Sequence, residues 1–284
     1  SPRGCCPHSK APFLLIIAGL ALLGAHTPLH STASVEVPSG LDHKPWKQLL
    51  KTYVNDKGLV DYKRWKESSE DRKALKDYID QFASEPELAA KGKEKLAALI
   101  NAYNAFTVEW VLEHYPIASI REIKGTWSGR HWDIGGNLVS LDDIEHKYLR
   151  PIMGWKVHGV LVCAARSCPP LQQFAYTDEK LDSQVSEAFQ AWLARPDLNT
   201  FDPNIKLAEV SKIFKWYREE FNEYPGGVKA VIAHFAPEKY RSFLASAEYT
   251  LTFKNYNWGL NDQSDLGKNY KLSPLKLLFS MFKE

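Results

Sequence analysis

The stretch EKLAALINAYNAFTVEWVLEHY, Glu94 to Tyr115, constrains the fold more than any other part of the chain. Its apolar spacing predicts a helix that begins near Lys93 and ends at Tyr115, because Pro116 disfavours helical backbone at the residue before it. Leu96, Leu99, Ile100, Tyr103, Phe106 and Val111 form the face to be buried. Asn101 and Asn104 sit three residues apart and share one side of this helix. Asparagine is a poor helix former, so two of them in so apolar a setting call for a role: holding a loop, or orienting a catalytic group.

The second informative stretch is WKVHGVLVCAARSCPPLQQFAY, Trp155 to Tyr176, which gathers His158, Cys163, Cys168 and a Pro-Pro corner. The bulky run Val157 to Cys163 predicts a buried strand ending at the cysteine, followed by a turn over Ala164 to Ser167. Pro169 and Pro170 hold Cys168 outside any helix interior.

The remaining elements follow from local signals. A first helix starts near Pro45 with Trp46, Leu49, Leu50 and Tyr53 at helical spacing, and the charged run Lys63 to Lys76 reads as a solvated helix face. Gly135-Gly136, between Trp132-Asp133-Ile134 and Asn137-Leu138-Val139, marks a hairpin. Ser140 with Asp143 forms a capping box, and its helix is expected to stop at Leu149, before Pro151, with Arg150 near enough to pair with an acid one turn back. Leu181 to Leu193 is an amphipathic helix. Asn199 to Ala208 suggests a hairpin, helices follow around Trp216 to Phe221, over Val228 to Phe235 and from Pro237 to Leu244, and Tyr249 to Lys254 alternates as a strand.

The 284 residues are 44% hydrophobic and 25% charged, the composition of a globular protein with a substantial core. A formal net charge of +2 gives no electrostatic reason to expect nucleic acid as a partner. The nine tryptophans suggest that some aromatic rings line a groove, beyond those that pack the core. Arg3, His8 and Lys10 precede the apolar run Phe13 to Ala25, and small and polar residues follow. This is the layout of a secretory signal over residues 1–34, with cleavage near Ala33, and it implies a periplasmic or secreted protein with no integral membrane domain afterwards. The run is short for a membrane span, which needs about 20 residues; an uncleaved anchor is the alternative. Residues 35–44 read as a linker, 45–262 as a single globular domain, and 263–284 as a C-terminal tail or short docking helix.

Removal of the leader takes Cys5 and Cys6 and leaves Cys163 and Cys168 in a disulfide-permissive compartment. One chemistry is a thiol nucleophile, Cys163 or Cys168, with His158 as base and Glu145, Asn101 or Asn104 orienting it. In a regular strand His158 and Cys163 would point to opposite faces, so Cys168 could fold back towards His158, or His131 could serve Cys163. A metal site is a weaker reading, since two cysteines this far apart with one histidine match no standard zinc signature; no metal and no cofactor is expected. A structural disulfide is the third reading, because the spacing is longer than the redox C-x-x-C.

The blocks LINAYNAFTV, LDDIEHKYLRP, HGVLVCAARSCPPL with the later Tyr176, and YNWGLND together resemble the bacterial branch of the uncharacterised family known as domain of unknown function 547. The likeness runs from about Trp46 to Asp262. It implies one α+β domain, often exported, and picks out Asn101, Asn104, Glu145, His158, Cys163 and Cys168 as the polar positions; it brings no established reaction with it. The parts are also similar, by analogy, to those of papain-like and transglutaminase-like hydrolases. The expectation is therefore a mainly helical α+β domain packed on a small antiparallel sheet, with a thiol-centred site that hydrolyses or transfers an amide bond in a peptide or cell-envelope substrate, as a cysteine-dependent amidase, peptidase or acyltransferase would. The alternative is a non-catalytic envelope binding or assembly module with a Cys163–Cys168 disulfide.

Overall fold

The computed structural model describes residues 35–271, so the signal segment 1–34 and residues 272–284 of the tail lie outside the described residues. Three helices open the fold: α1 (Lys44–Tyr53), α2 (Tyr62–Glu67) and α3 (Ser69–Asp80). Pro45 sits in the first turn of α1, where its missing N–H costs no bond, and the expected Trp46, Leu49, Leu50 and Tyr53 are the buried ones. Asp61 caps α2 and Ser68 caps α3, each accepting a backbone N–H of the first turn. Lys73–Asp77 and Lys76–Asp80 pair along the exposed face of α3, as a solvated charge run should. Trp46 stacks on Tyr78 at 5.9 Å and Tyr53 on Trp65 at 4.5 Å, which locks the three helices together through their rings.

α4 (Gly92–His114) is the 23-residue helix foreseen in the sequence. Its burial is wider than one face: every residue from Ala97 to Val108 is buried, the polar Asn101, Asn104 and Thr107 among them. The helix therefore runs through the interior, and its small Ala97, Ala98, Ala102 and Ala105 let neighbours approach on all sides.

The hairpin follows as β1 (Trp132–Ile134) and β2 (Asn137–Val139), paired antiparallel. Gly135 and Gly136 both have positive φ, the requirement of a two-residue primed turn, and a Cβ on Gly135 would collide with the carbonyl oxygen of Glu36. Phe106 of α4 stacks on Trp132 at 4.9 Å, which seats the hairpin on the central helix.

The chain then passes through α5 (Leu141–Asp143), a π-helical turn (Ile144–Leu149), α6 (Arg150–Met153), α7 (Val157–Val160) and α8 (Leu181–Leu193). β3 (Thr200–Asp202) and β4 (Leu207–Val210) form the second hairpin, and α9 (Ile213–Trp216), α10 (Arg218–Phe221), α11 (Gly227–Phe235), α12 (Glu238–Ala245) and β5 (Thr250–Phe253) complete the order. Phe189 of α8, Phe221 of α10, Phe235 of α11 and Trp155 make one aromatic core around α8.

The fold is α+β. The sheet content divides in two, a two-stranded hairpin and a three-stranded sheet of order β3-β4-β5 whose second pair is parallel. Residues 263–271 pack on the body: Gln263 donates to the carbonyls of Tyr53 and Leu59, and the Arg166 guanidinium donates to those of Asp262 and Ser264. Among the described residues no helix is long and apolar enough to cross a membrane.

Candidate functional site

The capping box forms as read. Ser140 accepts the Asp143 N–H at 3.1 Å, while the Asp143 carboxylate accepts the Ser140 N–H at 2.9 Å. The helix does not stop before Pro151. It loosens into the π-turn Ile144–Leu149 and resumes as α6, with Pro151 in the first turn, where proline is tolerated. The wider turn carries Glu145 inward and leaves His146 half-buried.

Glu145 is fully buried, and its Oε2 accepts a long 3.4 Å bond from the Tyr103 hydroxyl of α4. Its Oε1 has no partner among the described residues. Burial pushes this carboxyl up to about 7, against the pull of the Arg150 guanidinium, so near neutral pH it is balanced between its two protonation states.

Two expectations about partners are corrected here. Arg150 does not pair with an acid one turn back: its guanidinium binds the Glu220 carboxylate of α10, and another of its nitrogens lies 3.1 Å from His146 Nδ1. Glu145 does not orient His158; Glu220 does, with its Oε2 2.9 Å from His158 Nε2. The imidazole also stacks on Tyr217 at 3.7 Å, and Arg150 covers the same phenol ring. Burial lowers the affinity of His158 for a proton by more than Glu220 restores it. Glu220 is brought down to about 2, since hydrogen bonds from His158 and Arg150 outweigh the effect of its own burial. The pair is thus a neutral imidazole donating to an ionised carboxylate.

The segment Val157 to Cys163 is not a strand. Val157–Val160 is a helical turn, and only the residues from Leu161 onward extend. Strand propensity expresses a fit to a pleated neighbour, and here a side chain engages this backbone where a strand would. The Asn104 amide donates to the Val160 carbonyl at 3.0 Å and accepts the Val162 N–H at 2.9 Å. Asn101 does the same one turn earlier, donating to the Tyr176 carbonyl at 2.8 Å and accepting its N–H at 2.9 Å. Both asparagines therefore hold loops.

Cys163 and Cys168 form a disulfide with Cα atoms 6.3 Å apart, and both are buried. The Cys163 N–H donates to Cys168 Sγ at 3.1 Å, and Cys163 Sγ lies 3.4 Å from the Tyr256 hydroxyl. Tyr256 in turn packs against Trp216 and Trp258 at 4.8 and 4.6 Å. Because Val157–Val160 is helical, the alternation that set His158 and Cys163 on opposite strand faces does not apply. The ring nitrogen of His158 nonetheless engages Glu220, and His131 is an exposed residue immediately before β1. Among the described residues no three His, Cys, Asp or Glu side chains converge in a way that could hold a metal ion.

Of the six residues singled out in the sequence, Asn101 and Asn104 share α4 with Tyr103, the contact of Glu145, and Asn104 grips the backbone between His158 and Cys163. Residues 88–193 match the family described as Protein of unknown function, DUF547. This segment carries the DUF547 match. The DUF547 region contains α4, the capping box, the π-turn, the disulfide and the whole of α8, and so all six residues. The match is to the family as a whole and assigns no bacterial branch. No curated protein and no solved structure matches the chain. Glu220 and Tyr217 lie outside the DUF547 region, in a stretch that sequence reading treats only as a helix around Trp216 to Phe221. The one available signal was a charged residue one turn from an aromatic pair, too common a pattern to mark a site.

Proposed function

We propose that the chain is a non-catalytic binding or assembly module of the cell envelope whose Cys163–Cys168 disulfide is structural. The observation that carries this reading is the bonded, buried cysteine pair, with the imidazole of His158 committed to Glu220 and not to a sulfur. A thiolate nucleophile needs a free sulfur, a base within reach and access for a substrate. Export is supported by the sequence run Phe13 to Ala25, and a disulfide is at home outside the reducing cytosol.

The thiol-centred reading, an amidase, peptidase or acyltransferase acting on a peptide or envelope substrate, keeps one supporting contact. The Cys163 N–H aimed at Cys168 Sγ would favour a thiolate on Cys168 once the pair is reduced. Iodoacetamide labelling with mass spectrometry separates the two. The binding reading expects the peptides carrying Cys163 and Cys168 to stay unlabelled in the unreduced exported protein and to take up one label each after reduction and unfolding. Labelling of either cysteine before reduction would overturn it in favour of the thiol enzyme.

A further inference from the structure

A cleft of about 640 Å³ opens between the start of α1 and the segment 174–187, over Ala97 and Ala98 of α4. Buried amides hold one wall: Asn101 makes both of its bonds to the Tyr176 backbone, and Gln184 donates to the Ala175 carbonyl and accepts the Thr177 N–H. Asp42 and Glu94 offset Lys44 and Lys47 on the α1 side, so charge selects no ligand there. A second feature is aromatic. Trp216 and Tyr256 are half-buried and 4.8 Å apart, with the buried Trp258 against them at 6.3 and 4.6 Å. The Tyr256 hydroxyl lies 3.4 Å from Cys163 Sγ, so this ring screens the disulfide on its side.

The described residues end next to this face. Asn257, between Tyr256 and Trp258, donates through its side chain to the Lys268 carbonyl at 3.0 Å. Gly267 packs so closely on Ala118 and Leu260 that a Cβ there would meet their backbone atoms at 2.5 Å. Tyr270 packs against the core, and Lys271 is the last residue described. Beyond it the sequence reads LSPLKLLFSMFKE. Leu275, Leu278, Phe279 and Phe282 recur at i, i+3, i+4 and i+7, the spacing of one apolar helix face, and Ser273 and Pro274 are an N-cap residue and a first-turn proline in that pattern. From the anchored Lys268 to Leu275 the chain reaches at most roughly 25 Å. A tether this short holds the apolar segment at an effective concentration on the order of millimolar, so it fills a neighbouring apolar face ahead of a separate molecule at micromolar concentration.

We infer that residues 275–282 of this same chain dock on the aromatic face of Trp216 and Tyr256 and so cover the approach to the Cys163–Cys168 disulfide. The docking goes beyond the binding reading and does not depend on it. Photocrosslinking is the test. With p-benzoylphenylalanine in place of Phe279, the exported protein irradiated at micromolar concentration should couple, within one chain, to the peptides that carry Trp216 or Tyr256. Vesicles of phosphatidylethanolamine and phosphatidylglycerol added before irradiation should leave that product unchanged. Coupling only to other parts of the chain, only between two copies, only to lipid, or to nothing would overturn the proposal. A second measurement reads the cover itself. Leu278→Glu combined with Phe282→Glu should speed reduction of the disulfide by dithiothreitol about fivefold or more, with an unchanged circular dichroism spectrum, because access of the attacking thiol limits the exchange. Lys276→Glu, away from the apolar spacing, should leave the rate as in the parent. Equal rates in the parent and both variants would also overturn it. The crosslink and the labelling of Cys163 and Cys168 fail independently: a cysteine labelled before reduction leaves the crosslink standing, and a missing crosslink leaves the disulfide standing.

Discussion

The loop that carries Cys163 and Cys168 and the cleft beside α1 are anchored by neighbouring residues of the same helix in the same way. Asn104 grips the first through Val160 and Val162, and Asn101 grips the wall of the second through Tyr176. Yet the first region is closed and the second open. The cysteines, His158 and Glu145 are all buried, whereas Lys44, Lys47, Asp178 and Glu187 face water. Reactive residue types gather where solvent and substrate have least access, and the accessible cavity is lined by residue types that no motif search selects. Chemical type and access are separate properties, and a site needs both.

The largest effect that would sharpen this contrast comes from the two asparagines. Asn104→Ala leaves a buried carbonyl and a buried N–H without partners, and at about 1–3 kcal/mol each the loss should be about 4 kcal/mol in urea unfolding. Asn101→Ala should cost a similar amount, but it alone should also speed amide hydrogen exchange at Ala175 to Thr177, because it alone frees the cleft wall. Equal exchange there in the two variants would break the distinction between the regions.

The next effect concerns the isolation of Glu145 from water. A folded-state value of about 7 against 4.5 in the unfolded chain means that the folded protein holds this proton more tightly. Its contribution to stability is greatest below pH 4.5, declines as pH rises and is lost above about 7, a swing on the order of 3 kcal/mol. Glu145→Gln should therefore be more stable than the parent at pH 8, and the difference between the two should shrink steadily towards pH 5. His158 and Glu220 act in the opposite sense, losing stability as pH falls below 6.5 and 4.5 respectively, so the difference between variant and parent isolates Glu145. A pH-independent difference would show that the carboxyl reaches water.

The smallest effect belongs to the disulfide. A bridge across five residues of sequence closes a short loop, so replacing both cysteines by alanine should cost only about 2 kcal/mol and leave amide exchange at the cleft wall unchanged. Thermal unfolding monitored beside hydrogen exchange checks both halves of that statement.

Much of the fold was legible because its signals are local. The capping box at Ser140, the Gly135-Gly136 turn and the apolar spacing of Leu181 to Leu193 each specify their own element, and each formed where expected. Two of the errors share one cause. Val157–Val160 is helical although bulky residues alternate there, and Arg150 reaches an acid 70 residues away instead of one on its own helix. In both cases a partner distant in sequence decided the outcome. The six polar positions stood out because they are unusual for their surroundings. Glu220 and the cleft residues did not, since a glutamate on a helix or a lysine near a helix start is ordinary until the fold shows what it faces.

The paired asparagines of α4 carry a consequence for how this chain can vary in length. Each residue of an α-helix advances the side chains by about 100° around its axis. Asn101 and Asn104 serve backbone segments from opposite ends of one loop, so the spacing of three between them sets the angular offset of those segments as a key sets the wards of a lock. Inserting or deleting a single residue between them would keep the helix intact and swing one amide away from its chain. α4 is therefore a measured part, in which residue count matters as much as residue kind.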